Sequence, residues 1–425
     1  MNLAREHALS LDASDELQAW RERFVLPQDE HGHELAYLCG HSLGAQPLQA
    51  GDYVEEILRD WRALGVEGHF RARHPWTQYE QWLAAPLARL AGALPHEVVA
   101  MNTLTVNLHL MLASFYRPAG RRTGLLLERN AFPSDRYAVD AQIRWHGLDP
   151  ERERIELAPR EGEALLRTED ILERLARDGS RIATVLLPGI QYLTGQALDL
   201  RAITRAARDA GCVVGWDLAH AIGNMPLELH ASDADFAVWC HYKYVNGGPG
   251  AIGGAFVHER HARDTGRPRL AGWWGNELAT RFRMAPQFEP SVGAAGWQVS
   301  TPPVLAMAPI AASLECFEQA GLAALRRKSI ALTGYLDALI RARLGTEVEI
   351  LTPADPAQRG AMLSLRLART RDAARAAFEG LRRRGFVPDW REPDVIRVAP
   401  VPFYNRYDDA WRFVDALRAE LDLSA

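Results

Sequence analysis

Two residues stand out by type and place. Asp217 closes the apolar run Cys212-Val-Val-Gly-Trp-Asp217. Lys243 follows a second run, Asp235-Phe-Ala-Val-Trp-Cys240, and precedes the glycine-rich stretch Asn246-Gly-Gly-Pro-Gly250. They lie 26 residues apart. A lysine makes an imine with an aldehyde only through its neutral amine, so it needs surroundings that lower its pKa. A carboxylate beside a pyridine nitrogen keeps the ring cationic, and that cation accepts the electrons of a carbanion. The pair fits a site for pyridoxal phosphate, with Lys243 forming the Schiff base and Asp217 holding the ring nitrogen protonated. Each residue alone is ordinary, since most lysines lie on solvated faces. Two of them at the ends of strand-like runs are far more specific.

Other candidates gather around that pair. Asn102-Thr-Leu-Thr-Val-Asn-Leu-His109 opens an apolar-periodic helix ending near Tyr116. Hydroxyls and free N–H groups at a helix start suit a phosphate, although a plain cap reads the same way. Phe132-Pro-Ser-Asp135 follows a strand and offers an aromatic face for a flat ring and a carboxylate for the cofactor or its lysine; alone it is a turn. Arg397, inside Ile396-Arg-Val-Ala-Pro-Val-Pro402, suits a substrate carboxylate held by both arms, or a structural salt bridge. Tyr242 is a candidate phosphate ligand or proton donor, or a packed aromatic. His31-Gly-His33 looks like part of a metal site but has no third ligand nearby, so a surface turn is favoured.

The elements that must position these residues alternate. Residues 123–128, 154–158, 181–187 and 213–216 read as strands, and 137–146 and 199–211 as helices. A further helix is capped by Thr168, with Glu169 and Asp170 in its first turn and Gly179 beyond its end. The continuous apolar character of 181–187 indicates a sheet buried on both faces. The pattern predicts an α/β fold with a mostly parallel sheet whose ligand site lies at the carboxyl ends of its strands. After the Thr301-Pro-Pro303 break, a long helix over 304–321 leads into a small α/β unit. That unit has strands at 348–351, 362–367 and 395–399 and helices at 371–384 and 408–421. Three parts are expected: an amino-terminal segment, 1–50, packing with the small domain; a large domain, 51–303; and the linking helix with the small carboxyl-terminal domain, 304–425.

With 425 residues the chain can bury a large core, and 48% hydrophobic with 24% charged residues argues against disorder. A net charge of −5 gives no reason to expect nucleic acid or an anionic membrane as partner. The amino terminus, Met1-Asn-Leu-Ala-Arg-Glu-His, lacks an apolar signal core. The longest apolar stretch, 304–314, is short of the ~20 residues that span a bilayer. Four scattered cysteines (Cys39, Cys212, Cys240, Cys316) show no paired spacing, which fits reduced thiols and a cytoplasmic protein.

As an ordered set these residues resemble the kynureninases, pyridoxal-phosphate hydrolases of fold type I, over almost the whole chain. The resemblance is carried by Ser42-Leu-Gly44, the 102–109 stretch, Ala131-Phe-Pro-Ser-Asp135, Tyr192-Leu-Thr-Gly195 and Asp217-Leu-Ala-His220. It continues through Tyr242-Lys-Tyr244, Gly272-Trp-Trp-Gly275, Ser300-Thr-Pro-Pro303 and 396–402. It implies hydrolysis of L-kynurenine to anthranilate and L-alanine, with a place in tryptophan catabolism and NAD biosynthesis. It also implies a homodimer with shared active sites. In that likeness Lys243 carries the cofactor and shuttles protons, Asp217 pairs with the ring nitrogen with His220 close by, and Phe132 stacks on the ring near Asp135. Leu104 (through its backbone), Thr105 and Tyr242 take the phosphate. Trp273, Ser300 and Thr301 come from the second subunit, Arg397 takes the α-carboxylate, and His69 meets the aromatic end of the substrate. Some relatives carry asparagine where this chain has Thr301, which leans it toward the unsubstituted ring over 3-hydroxy-L-kynurenine. His41 stands where asparagine is common, without evident chemical reason. Two other readings compete. One is a related lyase or aminotransferase such as a cysteine desulfurase, which needs a nucleophilic cysteine on a mobile loop after the lysine; only Cys316 follows it, in a helical pattern. The other is a non-catalytic ligand sensor, which retention of Lys243, Asp217, Arg397 and Tyr242 argues against.

Overall fold

Seven apolar runs pair into one sheet in the computed structural model, which describes residues 3–423. Met1 and Asn2, where the amino-terminal reading began, lie outside it. The strands are β1 (Val98–Ala100), β2 (Gly124–Glu128), β3 (Arg154–Leu157), β4 (Ile182–Pro188), β5 (Val213–Asp217), β6 (Phe236–Cys240) and β7 (Gly253–Val257). Their spatial order is β1-β7-β6-β5-β4-β2-β3. Only β7 runs against its neighbours; β3, β2, β4, β5 and β6 are parallel in succession. The expected mostly parallel sheet is present. The buried runs of β2 and β6 follow from helices on both faces, which leave no position in water to be polar.

Local details differ from the sequence reading at helix starts. Thr168 is the first residue of its helix, Thr168–Asp178, and not its cap: the preceding residue is Arg167, with no side-chain cap bond. Asp199 does cap the next helix, Leu200–Asp209, accepting from the Ala202 N–H at 2.9 Å. The helix expected from 137 begins at Pro133, whose fixed φ suits a first helical position.

Two helices open directly beneath the site: α1 (Leu104–Phe115) and α2 (Pro133–Trp145). The long helix α3 (Val304–Ala320) leads into a further helix, α4 (Leu322–Leu344), in addition to the elements expected for this part of the chain. The small domain is a four-stranded antiparallel sheet. Its strands are β8 (Val348–Ile350), β9 (Leu363–Leu367), β10 (Asp389–Arg391) and β11 (Val395–Val398), in the order β8-β9-β11-β10. Helices α5 (Arg371–Arg383) and α6 (Tyr407–Glu420) complete it. The amino-terminal helix Arg5–Ala13 packs on α6, where Asp12 accepts from the Tyr407 and Asp408 N–H groups at 2.7 and 3.0 Å. Ala36–Tyr37 pairs in parallel with Phe386–Val387, and Cys39 bridges to Ala399. That pairing delivers His41 and the Ser42-Leu-Gly44 loop to the end of β11. Among the described residues no helix is long and apolar enough to cross a membrane.

Candidate active site

Strands β2, β4, β5 and β6 are neighbours, so their carboxyl ends lie side by side. At ~4.8 Å per strand they present an edge ~14 Å wide. Glu128, Pro188 and Asp217 end three of them, and Lys243 follows the fourth by three residues. The sheet thereby gathers Leu104, Thr105, Phe132, Asp135, Asp217, His220, Tyr242 and Lys243 around one cavity, together with Glu128, Ser134 and Tyr192. Eight of the residues singled out in the sequence converge there.

Lys243 Nζ lies 3.1 Å from His220 Nε2 and about 6 Å from the Phe132 and Tyr242 rings. Burial and the lysine's charge hold the His220 imidazole well below its ordinary pKa, so it is neutral and accepts from the lysine. The turn that carries Lys243 is pinned by Gly44, whose N–H donates to the Tyr242 carbonyl at 2.7 Å. A Cβ on Gly44 would collide with the Lys243 carbonyl, which is a physical reason for glycine in Ser42-Leu-Gly44. Burial raises the Tyr242 pKa, so its phenol keeps its proton and can donate.

Three buried carboxyl groups line the same cavity. Asp217 Oδ1 accepts from the Ala219 N–H at 2.7 Å, which fixes its orientation. Asp135 lies against Asp217, and burial plus that neighbour push its pKa well above the usual carboxylate range. Asp217 is raised too, chiefly by burial. Glu128 is pushed up to about 7 by burial, against a stabilising bond from Gln191 Nε2 at 3.2 Å. Such a cluster is costly when ionised unless a cation joins it. Among the described residues Asp135 Oδ1 and His220 Nδ1 are buried without hydrogen-bond partners, which leaves the cavity polar capacity for a ligand.

The same cavity is lined by the starts of two helices. The first turns of α1 and α2 meet where Thr105 Oγ1 and Ser134 Oγ lie 2.6 Å apart. Thr103, at the cap position of α1, makes no side-chain cap bond, so the plain-cap reading of this segment does not hold. Two helix amino termini with hydroxyls between them have the donors and the dipole sign that suit an anion. Phe132 is 43% exposed and meets Tyr192 in a T-shaped contact at 5.3 Å.

Five expected residues do not line this cavity. Arg397 is 1% exposed and bound to Asp389, through Nε at 2.7 Å and through Nη2, while Nη1 donates to the Tyr192 carbonyl at 2.5 Å. His69 and Trp273 belong to a separate aromatic cluster: His69 meets Trp76, Phe70 meets Phe282, and Phe282 meets Trp273 at 5.5 Å. Ser300 and Thr301 are exposed. His31 and His33 sit on an exposed turn at Gly32 (φ +80°), whose N–H groups bond Asp29, as the plainer reading expected.

Among the described residues, Glu97, His230 and His258 bring three potential ligand atoms within 4.8 Å. Glu97 Oε1 already accepts from His230 Nδ1 at 3.0 Å and from the Glu259 N–H at 2.8 Å. The two rings stack within 13° of parallel, which does not aim both at one ion.

Sequence reasoning missed Glu128, Ser134, Tyr192 and Asp389. The first had a signal, a charged residue ending an apolar run at a carboxyl strand end. Ser134 lay inside a quoted motif. Nothing local marked Asp389.

Residues 325–417 match the family model described as the kynureninase C-terminal domain. The chain is 56% identical over 417 residues to the kynureninase of Stenotrophomonas maltophilia (strain K279a), covering 98% of each chain. It is 57% identical over 413 residues to that of Xanthomonas campestris pv. campestris (strain B100), covering 97% of each. A cysteine desulfurase of Escherichia coli superposes with a TM-score of 0.76 at 17% identity, over 96% of this chain and 99% of that one. A cystine C–S lyase superposes at 0.72 with 19% identity, over 90% and 97%. At such identities these likenesses speak for the fold alone, the fold type I architecture of pyridoxal-phosphate enzymes. Identity above half, sustained from end to end, decides the family: this chain belongs to the kynureninases.

Proposed function

We propose that the protein hydrolyses L-kynurenine to anthranilate and L-alanine with pyridoxal phosphate as cofactor. The full-length identity to kynureninases carries this reading, and the convergence of Lys243, Asp217 and the two helix amino termini supports it. The test is to mix purified protein, pyridoxal phosphate and L-kynurenine and follow fluorescent anthranilate. No anthranilate at enzyme concentrations that consume the substrate would reject it.

The cavity fits the cofactor on chemical grounds. Its carboxyl cluster wants a cation, its helix termini want an anion, and Phe132 offers a flat face between them. When bound, pyridoxal phosphate supplies an aldehyde and a cationic ring that takes up the electron pair of a breaking bond. The chain's residues do the rest. Lys243 holds the cofactor covalently and then moves a proton at the substrate Cα. Asp217, fixed by the Ala219 N–H, accepts from the ring nitrogen, with Asp135 beside it. Neutral His220 takes a hydrogen bond from Lys243 and orients its amine. Leu104 N–H, Thr105 and Tyr242 take the phosphate. Arg397 binds the α-carboxylate through its fork. Tyr242, kept protonated by burial, is the proton donor near the carbon–carbon bond that breaks. Water then adds to the γ-carbonyl and supplies one oxygen of the new carboxyl group of anthranilate. The carboxyl carbon and the other oxygen come from the substrate's ketone, and the alanine carbon takes up the proton as the carbon–carbon bond breaks.

This reading makes the protein a homodimer. His69, Trp273, Ser300 and Thr301 lie outside the cavity of their own chain, and a second copy placing Trp273 and the Ser300-Thr301 turn at the cavity mouth would complete it. The large domain, 51–303, then carries the cofactor, and the 1–50 and 304–425 parts carry Arg397 and its surroundings. Thr301, with one short hydroxyl, favours the unsubstituted substrate ring. The desulfurase alternative lacks its nucleophile: Cys316 is buried within α3, and burial pushes its thiol up to about 11.

A further inference from the structure

Arg397 is bound before any substrate arrives, and the way it is bound is informative. β10 and β11 are antiparallel, with Asp389 directly opposite Arg397. Side chains two apart on a strand share a face, so Asp389, Arg391 and Arg397 point the same way. All three meet at one oxygen. Asp389 Oδ2 accepts from Arg397 Nε at 2.7 Å, from Arg397 Nη2, and from Arg391 Nε at 2.9 Å. Behind it, His41 Nε2 lies 3.6 Å away.

A guanidinium carries five N–H donors. Two of them, on the Nε/Nη2 edge, go to Asp389, and one on Nη1 goes to the Tyr192 carbonyl. One N–H on each terminal nitrogen stays uncommitted, the number a bidentate carboxylate needs. Tyr192 lines the cavity that holds Lys243, so its carbonyl ties that end of the guanidinium to the cavity wall.

We propose that Asp389, backed by Arg391 and His41, is the positioning residue that presents Arg397 to the substrate's α-carboxylate. This rests on the assignment of Arg397 made above. The charges support it. Two carboxylates on one buried guanidinium would leave a net negative charge, and Arg391 supplies the second cation that balances them. His41 must then add none. It is fully buried, neither ring nitrogen has a hydrogen-bond partner among the described residues, and burial with Arg397 nearby pushes its pKa down to about 3. A neutral imidazole can turn an N–H toward Asp389 without disturbing the balance. This gives the histidine before Ser42-Leu-Gly44 a chemical role that the sequence did not reveal.

The test compares two ligands on the holoenzyme: L-kynurenine, and its decarboxylated counterpart kynuramine as a competitive inhibitor. Asp389→Asn should raise KM for L-kynurenine about tenfold or more with kcat within about threefold, because a uniform binding contact is lost. The kynuramine inhibition constant should stay within about twofold, since that ligand makes no carboxylate contact. Equal weakening of both ligands would mean a merely structural role and overturn the proposal, as would an unchanged KM. If Asp389→Asn fails to hold cofactor, Arg391→Gln decides, because the Arg391 side chain is 35% exposed and tolerates change. It should raise KM selectively, and no selectivity would again overturn the proposal. Arg397→Ala separates the two layers. An unchanged KM there rejects the carboxylate assignment itself, whereas a raised KM in Arg397→Ala alone rejects only the role of Asp389.

Discussion

Replacing Asp217 by asparagine removes one charge and little else. The side chain is 7% exposed, and Oδ1 accepts from the Ala219 N–H at 2.7 Å, a contact the asparagine carbonyl can keep. The fold and the cavity should therefore survive. What is lost is the attraction to a protonated ring nitrogen. For a hydrogen-bonded ion pair near 2.8 Å in an effective dielectric of about 20, that attraction is roughly 6 kcal/mol. Part of it offsets the cost of burying the carboxylate, so a net loss of about 3–6 kcal/mol is the reasonable expectation. At 1.36 kcal/mol per decade this means roughly a 10²- to 10⁴-fold fall in kcat, because an uncharged ring is a poor electron acceptor. The assay is anthranilate release under saturating cofactor, with cofactor occupancy read from its absorbance. The variant should bind cofactor and barely turn over. Activity within tenfold of the parent at full occupancy would show that Asp217 is not the ring partner.

Lys243→Ala should abolish turnover and the covalent attachment of cofactor, since among the described residues no other amine lines the cavity; cofactor retained after borohydride reduction would refute this. Arg397→Lys should lower kcat/KM by roughly 30- to 1000-fold with little change in cofactor affinity, because an ammonium cannot hold Asp389 and a carboxylate together. The parent enzyme should prefer L-kynurenine to its 3-hydroxy form, and Thr301→Asn, especially combined with a change at His69, should narrow that preference. A kcat/KM ratio indifferent to both positions would count against it. Glu128, raised to about 7, holds its proton more tightly folded than unfolded, so its contribution to stability falls as pH rises from about 4.5 to 7. Glu128→Gln should accordingly stabilise the cofactor-free protein by up to about 3 kcal/mol more at pH 8 than at pH 4, checked by denaturant melts at both pH values.

The parts of this protein that could be read from the chain are those where local physics and function coincide. Asp217 and Lys243 are visible because a parallel sheet buried on both faces turns each strand into an apolar run, and the polar residues at or just past its end fall at the ligand edge. Glu128 obeyed the same rule and was overlooked because its strand ended in no recognised motif. Helix α4 carries a clear stripe (Leu325, Leu332, Leu336, Leu339, Leu344, all buried), so its helical period is legible in the sequence beyond Gly321. Asp389 is a different case. It owes its place to strand register, which sets it opposite Arg397, and to a pairing between residues some 350 positions apart that brings His41 behind it. No periodicity or spacing in the sequence encodes either relation. The catalytic centre, built from successive strand ends of one sheet, was legible one strand at a time. The carboxylate end, assembled from the amino-terminal loop and the last two strands of the chain, needed the fold to be seen. It follows that a substitution at His41 or Asp389, inconspicuous in the sequence, should act on substrate affinity, whereas one at Asp217 acts on the chemical step.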